Sequence, residues 1–499
     1  MEREHAPVLI IGAGLAGLSA AMFLGLHGVR ALVVEKHAGT ARHPKARGQF
    51  PHTMQALRIA GVEDAFLAAQ PADPGFTIKI AATTSGPVFH TILAGETPDF
   101  SAFSRNAWAN VSQEKAEVIL LERARELGAD VRFSTKAESL EQDADGVTVV
   151  IRDLITGTAR EVRADHVVAA DGHRSPVREW LGIGRHGRGV LGEGVNAVFE
   201  ADLGADFDGR NLLFYLRNPE LPGGGGAFTS TDDRNRFTFG VGEVDDIDEQ
   251  RWTELIRIAT GRPDLEPKLL ACNSKTTTSA LVADRFGAGR VQLIGDAVRT
   301  MPPHGAMGGN SAIMDGFSLA WKLAMVVKGQ AGQGLLDSHD AERRPYSEVL
   351  VEQQYANMVR RNSPHLADGT EAEPIDPAEL ILGYRYPDGA IVREADEDGA
   401  LFENPAEPTG RPGSHVPHDK STVDIFGRGF VLLADESTWD TKATEAAKAL
   451  GVELPVHRVE DPARYGVSTR GAVLVRPDGF VAWRGEGDLE AALRTVLGR

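Results

Sequence analysis

Apolar runs and helical apolar spacing alternate at the start of the chain. Residues 8–11 are all apolar and end at a glycine turn, and apolar positions over residues 15–28 then recur with helical spacing. Residues 31–34 form a second apolar run. Strand, glycine turn, helix and strand in this order make a βαβ unit. We therefore predict a parallel sheet at the N-terminus, with helices on both faces.

The middle of the chain changes from helical to strand-like patterns. Residues 112–127 place apolar side chains on one helical face. Strand-like pieces separated by Gly, Asp and Asn between about residues 187 and 278 predict a mostly antiparallel sheet. The buried-strand pattern returns at residues 291–294, before a Pro- and Gly-rich loop and a helix over about 311–328. A first domain interrupted by a second explains this order.

A third unit follows a connection rich in Pro, Gly, Asp and Glu over about residues 362–412. Strand-like runs at 430–433, 472–475 and 481–483, with a helical stretch at 443–450, predict a small α/β domain. The predicted division of this α/β protein is residues 1–75, 105–180 and 280–395 for the first domain, 76–104 and 181–279 for the second, and 408–499 for the third.

Charge and cysteine content exclude several classes of protein. The 53 basic and 71 acidic residues give a net charge of −18, which disfavours binding to nucleic acid or to an anionic membrane. The lone Cys272 excludes a disulfide framework and a CxxC pair within the chain. The most apolar early stretch is too short to span a bilayer, and the N-terminus is not the basic start of a secretory signal. We expect a cytoplasmic protein.

A glycine-rich motif lies where a dinucleotide would bind. Gly12-Ala13-Gly14-Leu15-Ala16-Gly17 is a GxGxxG sequence that follows a predicted strand and opens a predicted helix. Its glycines allow a pyrophosphate to approach backbone N–H groups at the positive end of the helix. Glu35, followed by Lys36, ends the second strand, where a carboxylate can accept from ribose hydroxyls. The motif alone does not separate NAD from FAD, and a tight turn without a ligand is the alternative.

Two more predicted strands end in an acidic residue. Asp171-Gly172 follows the run at residues 166–170, and Asp296 follows the run at 290–295. Each could be an ordinary turn, because Asp and Gly are common turn residues. Together with the glycine motif, however, they resemble the flavoprotein aromatic hydroxylases. This family includes para-hydroxybenzoate hydroxylase, phenol hydroxylase and the polyketide hydroxylases, and the resemblance covers about residues 7–355.

The resemblance implies a Rossmann-like FAD-binding domain interrupted by an antiparallel-sheet substrate domain. In that family the residue matching Asp296 binds the flavin ribityl chain, and the one matching Asp171 contributes to binding FAD and handling NADPH. Gln113 matches a glutamine that contacts the cofactor, although it could be a solvent-facing helix residue. Lys45 and Arg47 resemble a basic loop over the FAD phosphates, or form surface salt bridges.

The loop at residues 301–310 resembles the proline-rich loop beside the isoalloxazine. Its Gly309 and Asn310 are expected at the cofactor, and its Pro303 and His304 are expected to face the substrate. The helix that follows would point its positive end at the flavin edge that becomes negative on reduction. His304 is a weak candidate for an acid or base, and a hydrogen-bonded loop histidine is the alternative. Arg299 replaces a histidine found in many relatives, so no role of that histidine is carried over.

The activity that the resemblance implies is aromatic hydroxylation. FAD would be reduced by NADPH or NADH, react with O2 to a C4a-hydroperoxyflavin and transfer one oxygen atom to an aromatic, polycyclic polyketide. Baeyer–Villiger insertion beside a polyketide ketone on the same fold and a flavin-binding protein without oxygenase activity are the alternatives. No metal-ligand motif is visible.

Residues 408–499 resemble the thioredoxin-like C-terminal extension of the polyketide and phenol hydroxylases. The segments 410–413, 426–429 and 475–479 carry this resemblance, and the absence of CxxC excludes disulfide exchange. We therefore expect the third domain to serve in packing or oligomerisation. Whether the protein is a monomer or a homodimer is left open by the sequence.

Overall fold

A computed structural model describes residues 3–41, 46–205, 207, 209–242, 247–416 and 425–499. Its helices are α1 (Leu15–Leu26), α2 (Pro51–Ile59), α3 (Glu63–Ala69), α4 (Gln113–Glu126), α5 (Pro176–Trp180), α6 (Glu249–Thr260), α7 (Met307–Val327), α8 (Gly334–Arg361), α9 (Pro377–Leu382), α10 (Thr438–Leu450) and α11 (Leu489–Val496).

The strands in chain order are β1 (Arg3–Ile11), β2 (Ala31–Val34), β3 (Arg47–Gln49), β4 (Phe76–Ala81), β5 (Val88–Ala94), β6 (Ala109–Ser112), β7 (Asp130–Arg132), β8 (Thr135–Gln142), β9 (Val147–Asp153), β10 (Ala159–Ala169), β11 (Arg185–Glu200), β12 (Asn211–Arg217), β13 (Gly225–Ser230), β14 (Arg236–Gly242), β15 (Lys268–Ala283), β16 (Gly287–Ala288), β17 (Val291–Leu293), β18 (Arg299–Thr300), β19 (Val431–Ala434), β20 (Val456–Arg458), β21 (Ala472–Val475) and β22 (Val481–Gly485).

The first sheet contains the predicted N-terminal βαβ unit. Its order is β16-β17-β10-β1-β2-β7, and β1 pairs in parallel with both β2 and β10. β17 is parallel to β10 on the side away from β1, so the strands that precede Gly12, Asp171 and Asp296 run in the same direction in the order β1-β10-β17. β8 and β9 extend the sheet as antiparallel strands. The carboxyl ends of β1, β10 and β17 therefore meet at one edge.

Helices α1 and α7 cover one face of this sheet and pack closely on each other. A side chain at Gly316 of α7 would place its Cβ 2.7 Å from the backbone nitrogen of Ala20 in α1, so only glycine permits this approach. Most of α1 is buried, since it lies between the sheet and α7. The N-termini of the two helices are the ones that the sequence associates with the cofactor.

The second sheet has the order β18-β15-β11-β14-β13-β12-β4-β5. It is mostly antiparallel, as predicted, but β4 and β12 are parallel. One face carries a phenylalanine-rich core packed on α6, in which Phe239 contacts Trp252 edge to face. Side chains alternate between faces along a strand, so Tyr215 of β12 lies on the other face. The predicted domain limits remain a prediction.

Helices α7 and α8 both differ from the sequence-based expectation. α7 begins at Met307, four residues before the predicted start at Ser311, because its first turn lies in the Gly-rich segment that was assigned to the loop. α8, with 28 residues, was not predicted as a helix. It is buried on more than one side and contains Pro345, so it has neither a clear apolar stripe nor an uninterrupted run of helix formers.

The C-terminal unit is thioredoxin-like, as predicted. Its sheet order is β20-β19-β21-β22, in which β19 is parallel to β20 and antiparallel to β21. Helix α10 connects β19 to β20, and α11 follows β22. Trp439 and Leu493 are among the buried side chains between these helices and the sheet.

A buried charge network attaches this unit to the first domain. Lys322 of α7 donates to Glu342 of α8 at 2.6 Å, and Arg476 donates to both oxygens of the same carboxylate at 2.7 and 2.8 Å. Arg476 also forms a bidentate pair with Asp478, whose Oδ2 accepts from the indole N–H of Trp321 at 3.1 Å. The four charged side chains are at most 1% exposed and their charges cancel. No helix among the described residues is long and apolar enough to cross a membrane.

Removing one member of this network should strongly destabilise the fold. Glu342→Gln leaves Lys322 and Arg476 buried with reduced compensation, which should lower the free energy of unfolding by about 3–5 kcal/mol. Arg494→Gln, which breaks an exposed pair with Glu490, is the control and should cost about 0.5 kcal/mol or less. Urea unfolding followed by circular dichroism measures both. A loss below about 1 kcal/mol for Glu342→Gln would contradict the role of the network.

Candidate functional site

The glycines of the GxGxxG motif serve two different purposes. A Cβ on Gly12 would lie 2.2 Å from the carbonyl oxygen of Ala170, and one on Gly17 would lie 1.9 Å from that of Gly12. Packing of the protein itself therefore requires these two glycines. A Cβ on Gly14 would meet nothing closer than a Glu117 oxygen at 3.8 Å. Gly14 keeps open the space in front of α1.

The N-terminus of α1 is available to an anion. Gly14 is its N-cap residue and provides no side-chain cap, and no acidic side chain lies in the first turn. Leu15 and Ala16 begin the helix and are buried. A Cβ on Gly295 would lie 2.7 Å from the Cβ of Ala16, so the turn that carries Asp296 packs against the start of α1. The first-turn N–H groups and the helix dipole point to the opening at Gly14.

Glu35 closes one side of the glycine turn. Its Oε2 accepts from the backbone N–H of Ala13 at 2.9 Å, and its Oε1 accepts from the backbone N–H of His37 at 2.9 Å. The imidazole of His37 lies 2.5 Å from the same Oε1. Lys36 is exposed. The carboxylate is thus held at the end of β2, with lone pairs remaining for a further donor.

Gln113 connects α4 to the segment before β3. Its backbone N–H donates to the Ala46 carbonyl at 2.9 Å, and its side-chain amide donates to Glu117 at 2.7 Å. Glu117 also accepts from the backbone N–H of Ala41 at 2.7 Å and is buried. Sequence reasoning missed Glu117, although a glutamate beside Ala116 on the apolar face of a predicted helix was a usable signal.

Arg47 of β3 links the two-stranded β3–β6 sheet to the second sheet. It donates to Asn110 at 3.1 Å and to Asn211 at 2.9 Å, and it pairs with Asp232 in the turn between β13 and β14. Asp232 also accepts from the Ser112 hydroxyl at 2.7 Å. Burial works against its ionisation, but Arg47 and its other partners hold the pKa of Asp232 below its ordinary value. Lys45 lies outside the described residues.

Asp171 and Asp296 follow neighbouring parallel strands, at the same sheet edge as Gly12. Oδ2 of Asp171 accepts from the backbone N–H of Val177 at 3.0 Å, whereas Oδ1 is buried and has no hydrogen-bond partner among the described residues. Burial raises the pKa of this carboxyl. Asp296 lies in a short turn after β17 and is exposed. The structure therefore brings these two carboxyl groups and the glycine turn together.

The N-terminus of α7 forms the other side of the site. Its N-cap, Ala306, has a left-handed conformation with φ of 55° and offers no side-chain cap. A Cβ on Gly308 would have no atom within 4 Å, and one on Gly309 would lie 3.2 Å from Leu15. The opening at Gly308 therefore resembles the one at Gly14. The two together with the unpartnered Asp171 oxygen fit a dinucleotide with a flavin.

Asn310 fixes the loop before α7. Its Oδ1 accepts from the backbone N–H of Phe50 at 2.9 Å, and its Nδ2 donates to the carbonyls of Gly48 at 2.9 Å and Ala306 at 2.7 Å. The side chain thus bonds to backbone groups on both sides of the loop. Any contact that Asn310 makes with a ligand through its backbone would benefit from this fixed position.

His304 is buried, whereas its neighbour Pro303 is exposed. The imidazole stacks on Tyr215 of the second sheet with ring centroids 5.0 Å apart, and Nε2 lies 3.0 Å from Oδ1 of Asn362. Nδ1 has no hydrogen-bond partner among the described residues. Burial, together with the nearby Arg361 guanidinium, lowers the pKa of His304 to about 3. Its role toward substrate stays a prediction.

Arg299 forms a buried ion pair. Its Nη1 donates to Asp315 of α7 at 2.7 Å, and both side chains are at most 2% exposed. This pair lies in the interior between β18 and α7 and not at the surface. The sequence alone could not place Asp315, which lies on a face of α7 that is buried like the others.

Comparison with known proteins agrees with this geometry. Residues 5–354 match the FAD binding domain family, and residues 409–499 match the C-terminal domain of aromatic-ring hydroxylases. The chain is 40% identical to aklavinone 12-hydroxylase of Streptomyces purpurascens, with both chains fully covered. It is 37% identical to 4-methyl-5-nitrocatechol 5-monooxygenase of a Burkholderia species, covering 99% of this chain and 98% of the relative.

Two solved structures show the same fold. A ternary complex of aklavinone-11 hydroxylase with FAD and aklavinone is 38% identical and superimposes with a TM-score of 0.91 over both full chains. The rebeccamycin biosynthetic enzyme RebC with reduced flavin is 30% identical, with a TM-score of 0.85 and full coverage of both chains. These matches confirm the fold class predicted from the sequence, and the chain belongs to the family of FAD-dependent aromatic polyketide hydroxylases.

Proposed function

We propose that this protein hydroxylates a polycyclic aromatic polyketide with O2, using NADPH or NADH as the reductant. The observation that carries the proposal is the pair of uncapped helix N-termini, at Gly14 and Gly308, beside a sheet edge with two carboxyl groups. The relatives of this chain include aklavinone hydroxylases, and the structure of one such enzyme contains FAD and aklavinone. When bound, FAD supplies the redox chemistry that reduces O2 and delivers one oxygen atom to the ring.

We assign the cofactor contacts as follows. The α1 N-terminus, reached through Gly14, holds the pyrophosphate, and Glu35 accepts from the ribose hydroxyls. Asp296 binds the ribityl chain of FAD, and Asp171 contributes to binding FAD at the same sheet edge. Backbone N–H groups at the start of α7 stabilise negative charge on the flavin edge. The remaining assigned residues, which shape or flank these contacts, are Gly12, Leu15, Ala16, Gly17, Lys36, Arg47, Gln113, Gly309 and Asn310.

A flat substrate suits the face of the second sheet that carries Tyr215. Tyr215 pairs across strands with Ala227, which pairs with Gly240, so a large ring lies beside two positions with small or no side chains. The stacking of His304 on Tyr215 brings the loop at residues 301–306 over this face. We propose that the substrate lies between this face and the flavin, where Pro303 and His304 contact it and water is excluded.

His304 acts as a hydrogen-bond acceptor in this proposal. Nε2 of His304 faces Oδ1 of Asn362, which is an amide oxygen and can only accept. Nε2 of His304 then carries the proton and donates to Asn362, so Nδ1 carries the lone pair. With a pKa of about 3, the imidazole is neutral at physiological pH and is a weak base. It can orient a substrate hydroxyl without removing its proton.

The Gly14 opening can be tested by filling it. Gly14→Ala should fold, because its backbone is extended and no atom lies within 3.8 Å of the new Cβ, but it should weaken FAD binding by at least about tenfold. Gly334→Ala, in the first turn of α8, also places a Cβ in open space and should leave FAD binding unchanged. Titration of the apoprotein with FAD, followed by fluorescence quenching, measures both. Equal affinities in the two variants would rule out a pyrophosphate at Gly14.

The reaction can be tested with a polycyclic phenol. The visible spectrum of the purified protein should show bound flavin, which NADPH bleaches without oxygen and faster when the phenol is present. In air, the product should gain one oxygen atom on an intact ring. Insertion of that atom beside a ketone would identify Baeyer–Villiger chemistry instead. Stable FAD binding with no oxygenated product and no stimulation of NADPH oxidation by a series of phenols would refute the hydroxylase.

The acceptor role of His304 predicts an effect on substrate binding rather than on pH dependence. His304→Ala should raise KM by about two- to tenfold, the free energy of one neutral hydrogen bond. Because a group with a pKa of about 3 does not titrate between pH 5 and 8, the profile of kcat in that range should be the same in both proteins. Steady-state kinetics across this range provide the measurement. Loss of a pH-dependent step in the variant would show that His304 is a base after all.

A further inference from the structure

An arginine pair shares one carboxylate beneath the cofactor loop. Asp315 of α7 accepts from Arg299 at 2.7 Å and from the backbone N–H of Gly295 at 2.9 Å, both on Oδ2. Its Oδ1 accepts from Nε of Arg343 at 3.0 Å, and Nη2 of Arg343 lies 2.9 Å away. The three charged side chains are at most 2% exposed. We call the two arginines, together with the Asp315 carboxylate that they share, the arginine pair.

The arginine pair carries one uncompensated positive charge. Although burial opposes its ionisation, the two guanidinium groups hold the pKa of Asp315 below its ordinary value, so its charge is −1. His339 beside it is neutral, because burial lowers its pKa to about 4. Burial raises the pKa of the surrounding tyrosines, so their hydroxyl groups are neutral; these are Tyr346, Tyr384 and Tyr386. The neighbouring network of Lys322, Glu342, Arg476 and Asp478 is neutral in sum.

Burial of a single net charge is costly unless an anion completes it. Nε and Nη2 of Arg299 make no hydrogen bond within the described residues, so this guanidinium is only partly used. The ordinary reading is a structural ion pair that holds α7, α8 and the turn after β17 together. One carboxylate and one arginine would form a neutral pair, and the second arginine adds a positive charge to it.

The arginine pair lies behind both elements assigned to the flavin. Through Gly295, Asp315 holds the turn that carries Asp296. Arg343 shares a small cavity of about 20 Å³ with Asn310 and Ser311 in the first turns of α7. The Ser311 hydroxyl is buried there and has no hydrogen-bond partner among the described residues. The extra charge is therefore close to the positive end of the α7 dipole and has the same sign.

We propose that the uncompensated charge of the arginine pair stabilises the anionic reduced form of bound FAD relative to its neutral oxidised form. This inference rests on the proposed function, since it requires FAD between the two helix N-termini. Arg299 and Arg343 do not contact the reacting atoms in this proposal. They act through the electrostatic potential at the site, which favours the state of the flavin that carries negative charge.

The test compares variants that remove one charge with variants that keep it. Arg299→Gln and Arg343→Gln each leave Asp315 with one arginine, so the buried group becomes neutral. Each should weaken binding of reduced FAD relative to oxidised FAD on the order of tenfold, which lowers the two-electron midpoint potential by about 30 mV. The matched controls Arg299→Lys and Arg343→Lys retain the charge and should shift the potential by less than half as much. Dye-equilibrated reduction of the holoprotein gives the potentials.

A second measurement uses the wild-type protein alone. If the bound reduced flavin is anionic, two electrons arrive with one proton, and the potential should change by about 30 mV per pH unit between pH 5.5 and 7. A slope near 60 mV per unit would mean a neutral reduced flavin and would overturn the inference even if the variants do not fold. Gln variants that bind FAD with unchanged potential would also overturn it while leaving the proposed function intact. Failure of the wild type to bind FAD would refute the proposed function itself.

Discussion

The close packing of α1 against α7 is the constraint on which the site depends. Gly316 permits backbone contact between the helices, and Gly12 and Gly17 permit the turn that starts α1. Because both helices begin at the same side of the first sheet, their two positive ends lie close together. A wider separation of the helices would leave two weak anion sites instead of one extended cofactor site. The same helix α7 also carries Asp315 and Lys322. It therefore positions the cofactor loop, the arginine pair and the C-terminal unit relative to one another.

Sequence patterns predicted the parts of the fold that have a local cause. The βαβ unit, the strands before Asp171 and Asp296 and the small C-terminal α/β unit follow from period, glycine position and turn residues, and the structure contains them, whereas the thioredoxin-like character of that unit came from the family resemblance. α8 has no such signature, since its buried positions are spread around the helix and include charged side chains such as Glu342 and Arg343. Charged residues in a buried helix make sense only when their partners, which are distant in sequence, are known.

Some site residues could also be predicted from local sequence, whereas others depend on partners that are distant along the chain. The glycine motif predicted a helix N-terminus, but only the three-dimensional packing separates Gly12 and Gly17, which the protein itself requires, from Gly14, which leaves room for a ligand. Glu117 had a usable signal on the apolar face of a predicted helix, but its bond to the backbone of Ala41 was visible only in the structure. Asp315 could not be assigned, because it acts on the backbone of Gly295 from a helix that is buried on all faces. The burial of His304 against Tyr215 likewise depends on two different domains and determines its protonation state.

The Arg476–Glu342 pair has a consequence for the modularity of the chain. Although the C-terminal unit has its own sheet and its own hydrophobic core, its Arg476 and Asp478 are buried against Glu342 and Trp321 of the first domain. Truncation before residue 408 would expose the Trp321 indole and the Lys322–Glu342 ion pair to water. A domain transplanted from another protein would fit only if it brought the same arginine and aspartate. The thioredoxin-like unit is therefore an inseparable part of one folding unit rather than an exchangeable module.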